Sequence, residues 1–454
     1  MTKLLIRNGR ILDPGRNVDL VGDLLIADGR VAAVGSNLAA DGAETIDASG
    51  LVVCPGFVDL HCHLRDPGFE YKETIATGTQ AAARGGFTTV CCMPNTQPVI
   101  DTRATVEYVL RVAASEAAVR VLPIGAVSQG RDGHRLAELA ELAEAGCVAF
   151  SDDGAPVADG ALLRRALEYA RISGLAVIDH CEDPDISARG VMHEGWVSTR
   201  LGLRGQPASA EETFVARDIA LAAQLGAPVH IAHVSTREAI ALIRTAKKRG
   251  LPVTAEVTPH HLTMTHETVA FSTNGNVSSA SSAEPRAETL RYDTSAKVNP
   301  PLRTPDDVAA CVEALRTGVI DAIATDHAPH ADYEKACEFD VAAFGISGLE
   351  TAFGLCMTLV QAGGLDLPTL IERLTAGPVR ALGLERSVPQ LGSLAEGAPG
   401  DVVVLDLEAE WTVEPERFAS KGKSTPLAGR TLRGRVVATV VGGRVAWAEE
   451  PNPV

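Results

Sequence analysis

Aromatic residues make up only 4% of this 454-residue chain, so its interior has to be filled largely by Ala, Val, Leu and Ile. Positive charge is also scarce: 41 Lys and Arg stand against 58 Asp and Glu, for a formal charge of −17. That balance excludes the broad basic footprint needed by nucleic acid or an anionic membrane surface. It leaves room for a small anion held by local arginines. No uninterrupted apolar run reaches the roughly 18–20 residues of a membrane span. The opening Met-Thr-Lys-Leu-Leu-Ile-Arg lacks the apolar stretch and small-residue cleavage site of a secretory leader. The nine cysteines include no C-x-x-C pair, and Cys54, Cys91 and Cys147 fall inside apolar, strand-like runs. Odd in number and without framework spacing, they are expected to be buried, reduced thiols of a cytoplasmic protein. Lysine is missing altogether between Lys72 and Lys247.

What is present changes along the chain. The first fifty residues alternate short β-like runs with Gly and Asp turns (LLIRNGRILD, GDLLIADGRVAAVG), and the last sixty do the same (GDVVVLDL, RVVATVVGGRVAWA). Neither end has enough strands for a stable unit. One small β domain assembled from both termini is the economical reading. Between them, apolar β-branched runs occur at 51–60, 87–93, 119–127, 146–151, 175–180, 227–234, 252–258 and 321–325. Amphipathic or Ala-rich helical segments such as 134–145, 159–173, 209–225 and 236–249 separate them. Strands apolar on both faces and alternating with helices indicate a parallel sheet. The expected class is α/β: a TIM-type (β/α)8 barrel over residues 54–385, with a small β-sandwich domain from 1–53 and 386–454. An open doubly wound sheet is the alternative, but no Gly-x-Gly-x-x-Gly turn follows the first strand. Residues 272–296, rich in Ser, Ala and polar groups and without periodicity, read as a surface insertion or as a lid.

Metal-type side chains fall at the carboxyl ends of these runs: Asp59, His61 and His63, then Ser151-Asp152-Asp153, Asp179-His180, His233 and Asp326. That is the face on which such barrels build active sites. In His61-x-His63 a spacing of two puts both imidazoles on one face of a strand, a poor core but a good ligand pair. His180 and His233 alone would pass as hydrogen-bonded structural residues; they gain meaning by ending successive strands. His230, three residues before His233, points by alternation to the opposite face and is assigned to packing or to hydrogen bonding behind the site. A carboxylate ending an apolar strand, as at Asp326, is costly unless paired or metal-bound. Beside a metal-bound water it could both hold the ion and shuttle the proton.

These stretches resemble the amidohydrolase superfamily, and within it the bacterial type I dihydroorotases. The matching segments are PGFVDLHCHLRDPG (55–68), MPNT (93–96), FSDDG (150–154), DHCED (179–183), AHVST (232–236), VTPHHL (257–262), NPPLR (299–303), ATDHAPH (324–330) and FGISGLET (344–351). The resemblance implies reversible hydrolysis of L-dihydroorotate to N-carbamoyl-L-aspartate in pyrimidine biosynthesis, at two zinc ions per subunit. Where many relatives bridge the metals with a carboxylated lysine, the lysine gap leaves none here. The resemblance gives that bridge to Asp153, with His61, His63 and Asp326 completing one site and His180 and His233 the other. Asp152, pointing the other way, is left to backbone or an arginine.

Dihydroorotate differs from neutral cyclic amides by a ring carboxylate, which calls for a fixed cation. Arg65, two residues past His63, can bind a carboxylate through paired hydrogen bonds; pairing with Asp66 or Glu70 is its bland alternative. The resemblance adds Asn95 and His330 to that grip, with His63 and Leu64 alongside. Asn299 would address the ring amide, and the backbone at Phe344 and Gly345 its other edge. His260 and His261 receive no ligand role. The rivals are an allantoinase or hydantoinase, and a non-catalytic scaffold for aspartate transcarbamoylase. Homo-oligomerisation and association with that enzyme stay open.

Overall fold

Two kinds of sheet organise the computed structural model, which describes residues 3–39, 42–270 and 292–449. Of the segment expected as an insertion or lid, residues 272–291 lie outside the described residues. The chain begins with β1 (Lys3–Asp13), β2 (Val18–Ala27), β3 (Arg30–Gly35), β4 (Glu44–Asp47) and β5 (Val52–Pro55). β1 pairs antiparallel with β2, and β2 with β3, while β4 and β5 run parallel to β1.

The parallel strands follow: β6 (Phe57–Cys62), β7 (Phe87–Cys92), β8 (Arg120–Pro123), β9 (Ala149–Phe150) and β10 (Ala176–Asp179). After a short pair, β11 (Met192–His193) and β12 (Gly205–Gln206), come β13 (Val229–Ile231), β14 (Val253–Val257) and β15 (Ala322–Ile323). β6–β7–β8 form a three-stranded ladder and β9–β10–β13–β14–β15 a five-stranded one. Isolated parallel bridges join the two, Gly125 to Phe150 beyond β8 and Cys62 to His327 beyond β15. Pairing therefore leads from β6 through β15 and back to β6.

Strand alternation sorts the apolar residues into two cores. Val58, Leu60, Leu122, Ile124, Ala176 and Ile178 belong to an inner cluster with Ala322 and Ala324. Their neighbours Phe57, Val121, Val177 and Ile323 join an outer cluster with the flanking helices. The helices begin where the sequence offers a cap: the side chains of Thr74, Thr102, Asp159, Thr236 and Thr304 each accept a first-turn backbone N–H. No helix among the described residues is long and apolar enough to cross a membrane. The cysteines are free thiols, all buried except the half-buried Cys337.

The last strands, β16 (Val402–Thr412), β17 (Thr431–Val441) and β18 (Arg444–Ala448), complete an eight-stranded sheet with the amino-terminal ones. β5 joins the two ends, pairing with β1 on one side and antiparallel with β16 on the other. The apolar run 51–60, expected to be one strand, is thus two strands in different sheets. The break falls at Pro55-Gly56. Pro55 has no N–H to extend the ladder, and a Cβ at Gly56 would lie 2.2 Å from the Thr88 side chain.

Candidate metal centre

The expected ligands all leave the carboxyl ends of parallel strands. His61 is in β6 and His63 just past it, Asp153 follows β9, His180 follows β10, His233 follows β13, and Asp326 follows β15. At His233 and Asp326 the backbone takes left-handed φ values of 31° and 47°, turning each side chain out of strand register. Alternation alone would oppose His230 and His233; that turn brings His233 to the centre while His230 stays on the inner face below it. Asp59 fixes β6 to the end of β15: its carboxylate accepts from Thr325 N (2.8 Å) and Thr325 Oγ1 (2.5 Å).

Asp153 stands in the middle. Its Oδ1 lies 3.3 Å from His61 Nε2, 3.5 Å from His180 Nδ1 and 3.5 Å from His233 Nε2, while Oδ2 is 3.5 Å from His63 Nε2. Asp326 Oδ1 is 3.2 Å from His63 Nε2 and 3.6 Å from His61 Nε2. Donors about 2.0–2.1 Å from a tetrahedral ion sit about 3.4 Å apart, so most of these spacings suit atoms sharing a cation. Asp153 Oδ1 and His61 Nε2 are also buried without a hydrogen-bond partner, an arrangement that costs free energy unless something else engages them. Two groups, His61–His63–Asp326 and His61–Asp153–His233, have donor atoms close enough to hold a metal ion.

Electrostatics agree with the geometry. Burial opposes ionisation of Asp153, yet the imidazoles of His61, His180 and His233 around it hold its carboxyl well below the usual range. Burial likewise pushes the His61 imidazole down, but Asp153 and Glu256 outweigh it and raise it well above the ordinary value. The pocket attracts positive charge. A third group, Asp179–Cys181–Asp218, has ligand spacing too. There Arg217 already supplies the charge, reaching Asp179 Oδ2 at 3.0 Å and Asp218 Oδ1 at 2.7 Å.

The residues expected to face substrate gather beside this cluster, several with work of their own. Arg65, with φ of 61°, donates through Nε to Pro329 O (3.3 Å), and its Nη2 is 3.4 Å from His330 Nε2. Asp66 and Glu70 do not pair with it: Asp66 accepts from Tyr108 and Glu70 from the Gly68 amide. Asn95 Oδ1 is 2.8 Å from His63 Nδ1 and so presents that ring's Nε2 to the two aspartates. Asn299 Nδ2 donates to Glu182 Oε2 (2.7 Å) and lies 3.2 Å from His180 Nε2. His330 Nε2 donates to Phe344 O (2.8 Å), while Gly345 N donates to Lys297 O (2.9 Å). A side chain at Gly345, whose φ is 125°, would strike Ala328. Leu64 turns away, its side chain in the outer core. Asp152 accepts from the amides of Val127 and Ser128. His261 bridges Thr258 Oγ1 and Pro300 O.

Two carboxylates escaped the reading of the sequence. Glu182 Oε2 is 3.0 Å from His180 Nε2, and Glu256 Oε1 is 2.8 Å from His61 Nδ1. Each lies behind an imidazole that faces Asp153. For Glu256 a signal existed: a charge inside the buried strand Val253–Val257 needs a partner.

Comparison with known proteins follows the same line. A family model described as Dihydro-orotase-like matches residues 50–239. Over 447 residues the chain is 53% identical to a dihydroorotase from Anaeromyxobacter dehalogenans (strain 2CP-C), covering 98% of each. It is 52% identical over 448 residues to a dihydroorotase from Pelotomaculum thermopropionicum, covering 98% of this chain and 99% of that one. Among solved structures, the L-hydantoinase (dihydropyrimidinase) from Arthrobacter aurescens superposes with a TM-score of 0.85 at 25% identity, over 100% of this chain and 98% of its own. With half of its residues shared along almost its whole length, the chain belongs to the dihydroorotase family.

Proposed function

We propose that this chain is a dihydroorotase, which opens the cyclic amide of L-dihydroorotate to N-carbamoyl-L-aspartate and closes it again at two zinc ions. The observation that carries the reading is the Arg65–His330 pair set beside the His–Asp cluster, a carboxylate receptor next to a candidate metal centre. His61, His63, Asp153 and Asp326 would hold one ion, and Asp153, His180 and His233 the other, with Asp153 shared. Bound there, the metals would make water acidic enough to serve as nucleophile near neutral pH and would polarise the amide carbonyl.

Arg65 takes the ring carboxylate, with His330 and the amide group of Asn95 beside it, and so orients the scissile bond toward the cluster. Asn299 meets the ring amide, and the backbone at Phe344 and Gly345 borders the ring. The Asp326 carboxylate receives the proton released on attack and hands it to the departing ring nitrogen. In the closing direction the protonated Asp326 helps the carboxyl group lose water. Leu64 contributes only its backbone, since its side chain is in the core.

The parallel strands in this reading form a TIM-type (β/α)8 barrel over residues 54–385, supported by the two bridges that return the pairing to β6. Residues 1–53 and 386–454 form the small domain, with β5 as the seam. A sandwich is supported by the approach of its two ends: a Cβ at Gly29, after β2, would lie 3.1 Å from Gly442 O, after β17.

The test is ring opening of L-dihydroorotate by zinc-loaded protein, followed in the ultraviolet, with dihydrouracil and allantoin in parallel. Turnover of dihydroorotate alone is expected. Turnover of a neutral ring instead would refute the role of Arg65 as carboxylate receptor, and inertness toward all three would overturn the enzymatic reading.

A further inference from the structure

Glu256 takes no part in the steps above, yet it is fully buried inside the parallel strands, beneath the His–Asp cluster. Its Oε1 lies 2.8 Å from His61 Nδ1 and its Oε2 3.2 Å from His230 Nε2. His230 Nδ1 is in turn 2.8 Å from Thr254 Oγ1, which reaches Ala381 O at 3.2 Å. One polar line thus runs through the inside of the parallel strands, from the helix Ala376–Leu382 to His61.

Proton accounting gives the line a direction. An ionised carboxylate only accepts hydrogen bonds, so the hydrogen of His61 must sit on Nδ1. Nε2 is then the nitrogen left to offer a lone pair to a cation, and it is the atom 3.3 Å from Asp153 and 3.6 Å from Asp326. Stability alone does not call for a charge here, because well-packed apolar groups commonly replace buried ionic ones without loss. Nor would an amide serve as well. With one oxygen and one NH2, glutamine turns a donor toward either His61 or His230. Facing His61, that donor would force the hydrogen onto Nε2, the wrong nitrogen for a ligand.

We propose that Glu256 is a positioning residue that presets His61 as a metal ligand, with His230 holding the second carboxylate oxygen. The inference rests on the reading of His61 as a ligand, and its test separates the two. Zinc affinity of E256Q, E256L and H61A is measured by competition with a chromophoric chelator, alongside 15N-histidine spectra of the metal-free proteins. Wild type is expected to carry a proton on His61 Nδ1, and E256L to have lost it and to keep one on Nε2 alone. E256Q should bind zinc about 10- to 100-fold more weakly, the usual effect of losing such a partner. If E256L fails to fold, the near-isosteric E256Q decides. If H61A loses zinc but E256Q binds it as wild type does, Glu256 is structural and the proposal falls. If H61A keeps wild-type affinity, the metal reading itself fails.

Discussion

Arg65 Nη2 lies 3.4 Å from His330 Nε2, two donors brought side by side at the edge of the His–Asp cluster. Burial, and after it the charge of Arg65, pushes the His330 imidazole down to about 3, so this ring is neutral at physiological pH. Arg65 is then the charge that the carboxylate of the proposed substrate would meet. Replacing it with methionine removes hydrogen bonds to a charged group, worth about 1.5–3 kcal/mol. KM for L-dihydroorotate is expected to rise about 10- to 100-fold, with any activity toward dihydrouracil unchanged. Steady-state kinetics on both substrates check this; equal losses on both would remove Arg65 from carboxylate recognition.

The two aspartates should separate by phenotype. Asp153 faces all four imidazoles, so D153A is expected to lose most bound metal, measured by elemental analysis after gel filtration. D326N, which keeps an oxygen ligand but cannot accept the proton, should retain metal and lose about 10²- to 10⁴-fold in kcat. Prolonged dialysis against a chelator should abolish wild-type turnover, and added zinc should restore it. A chelated enzyme with full activity would contradict the centre.

Away from the site, Glu350 accepts from the amides of Ala419 (3.1 Å) and Ser420 (3.2 Å), tying the region of the parallel strands and their helices to the segment before β17. Burial pushes its carboxyl up to about 7, against the pull of those amides. A raised folded value means that the protonated form is the one folding favours. Its stabilisation is complete below the unfolded value of about 4.3 and is lost as pH rises through about 7. The unfolding midpoint of wild type minus that of E350Q should therefore fall across this window and stay flat above it. Denaturant melts of both proteins from pH 4 to 8 measure the difference. A level difference would mean that the carboxyl titrates normally.

Lys335 Nζ donates to the carbonyls of Ala343 (2.8 Å) and Gly345 (2.9 Å), and Lys297 Nζ to that of Phe339 (2.6 Å). The loop bordering the proposed substrate face is thus wrapped around two buried ammonium groups. K335M leaves carbonyls without a donor, at about 1–3 kcal/mol for each buried group unpaired. Faster amide exchange over residues 339–346 is expected, together with a raised KM. Unchanged exchange would show that the loop keeps its shape without Lys335.

Much of the frame was legible because parallel strands buried on both faces read as apolar runs. The run at 175–180 is β10, and the helix expected at 209–225 is Ser209–Leu225. Alternation failed where the backbone leaves extended geometry, at His233 and Asp326, since a period of two holds only within a strand. The seam at Pro55-Gly56 was hidden because both halves of 51–60 are equally apolar. Glu256 and Glu182 escaped because their meaning lies in a partner. His61 and Glu256 are 195 residues apart, and nothing local to either names the other.

The clasp between Asp59 and Thr325 has a consequence for how the molecule comes into being. Those residues are separated by 266 positions, and Asp326, the proposed proton carrier, adjoins the later one. During synthesis the four imidazoles and Asp153 leave the ribosome well before Thr325 and Asp326. A nascent chain that stops short of Thr325 has those donors without the contact that ties β6 to the end of β15. The arrangement is therefore complete only late in translation, and a product that ends before Thr325 lacks both the clasp and Asp326.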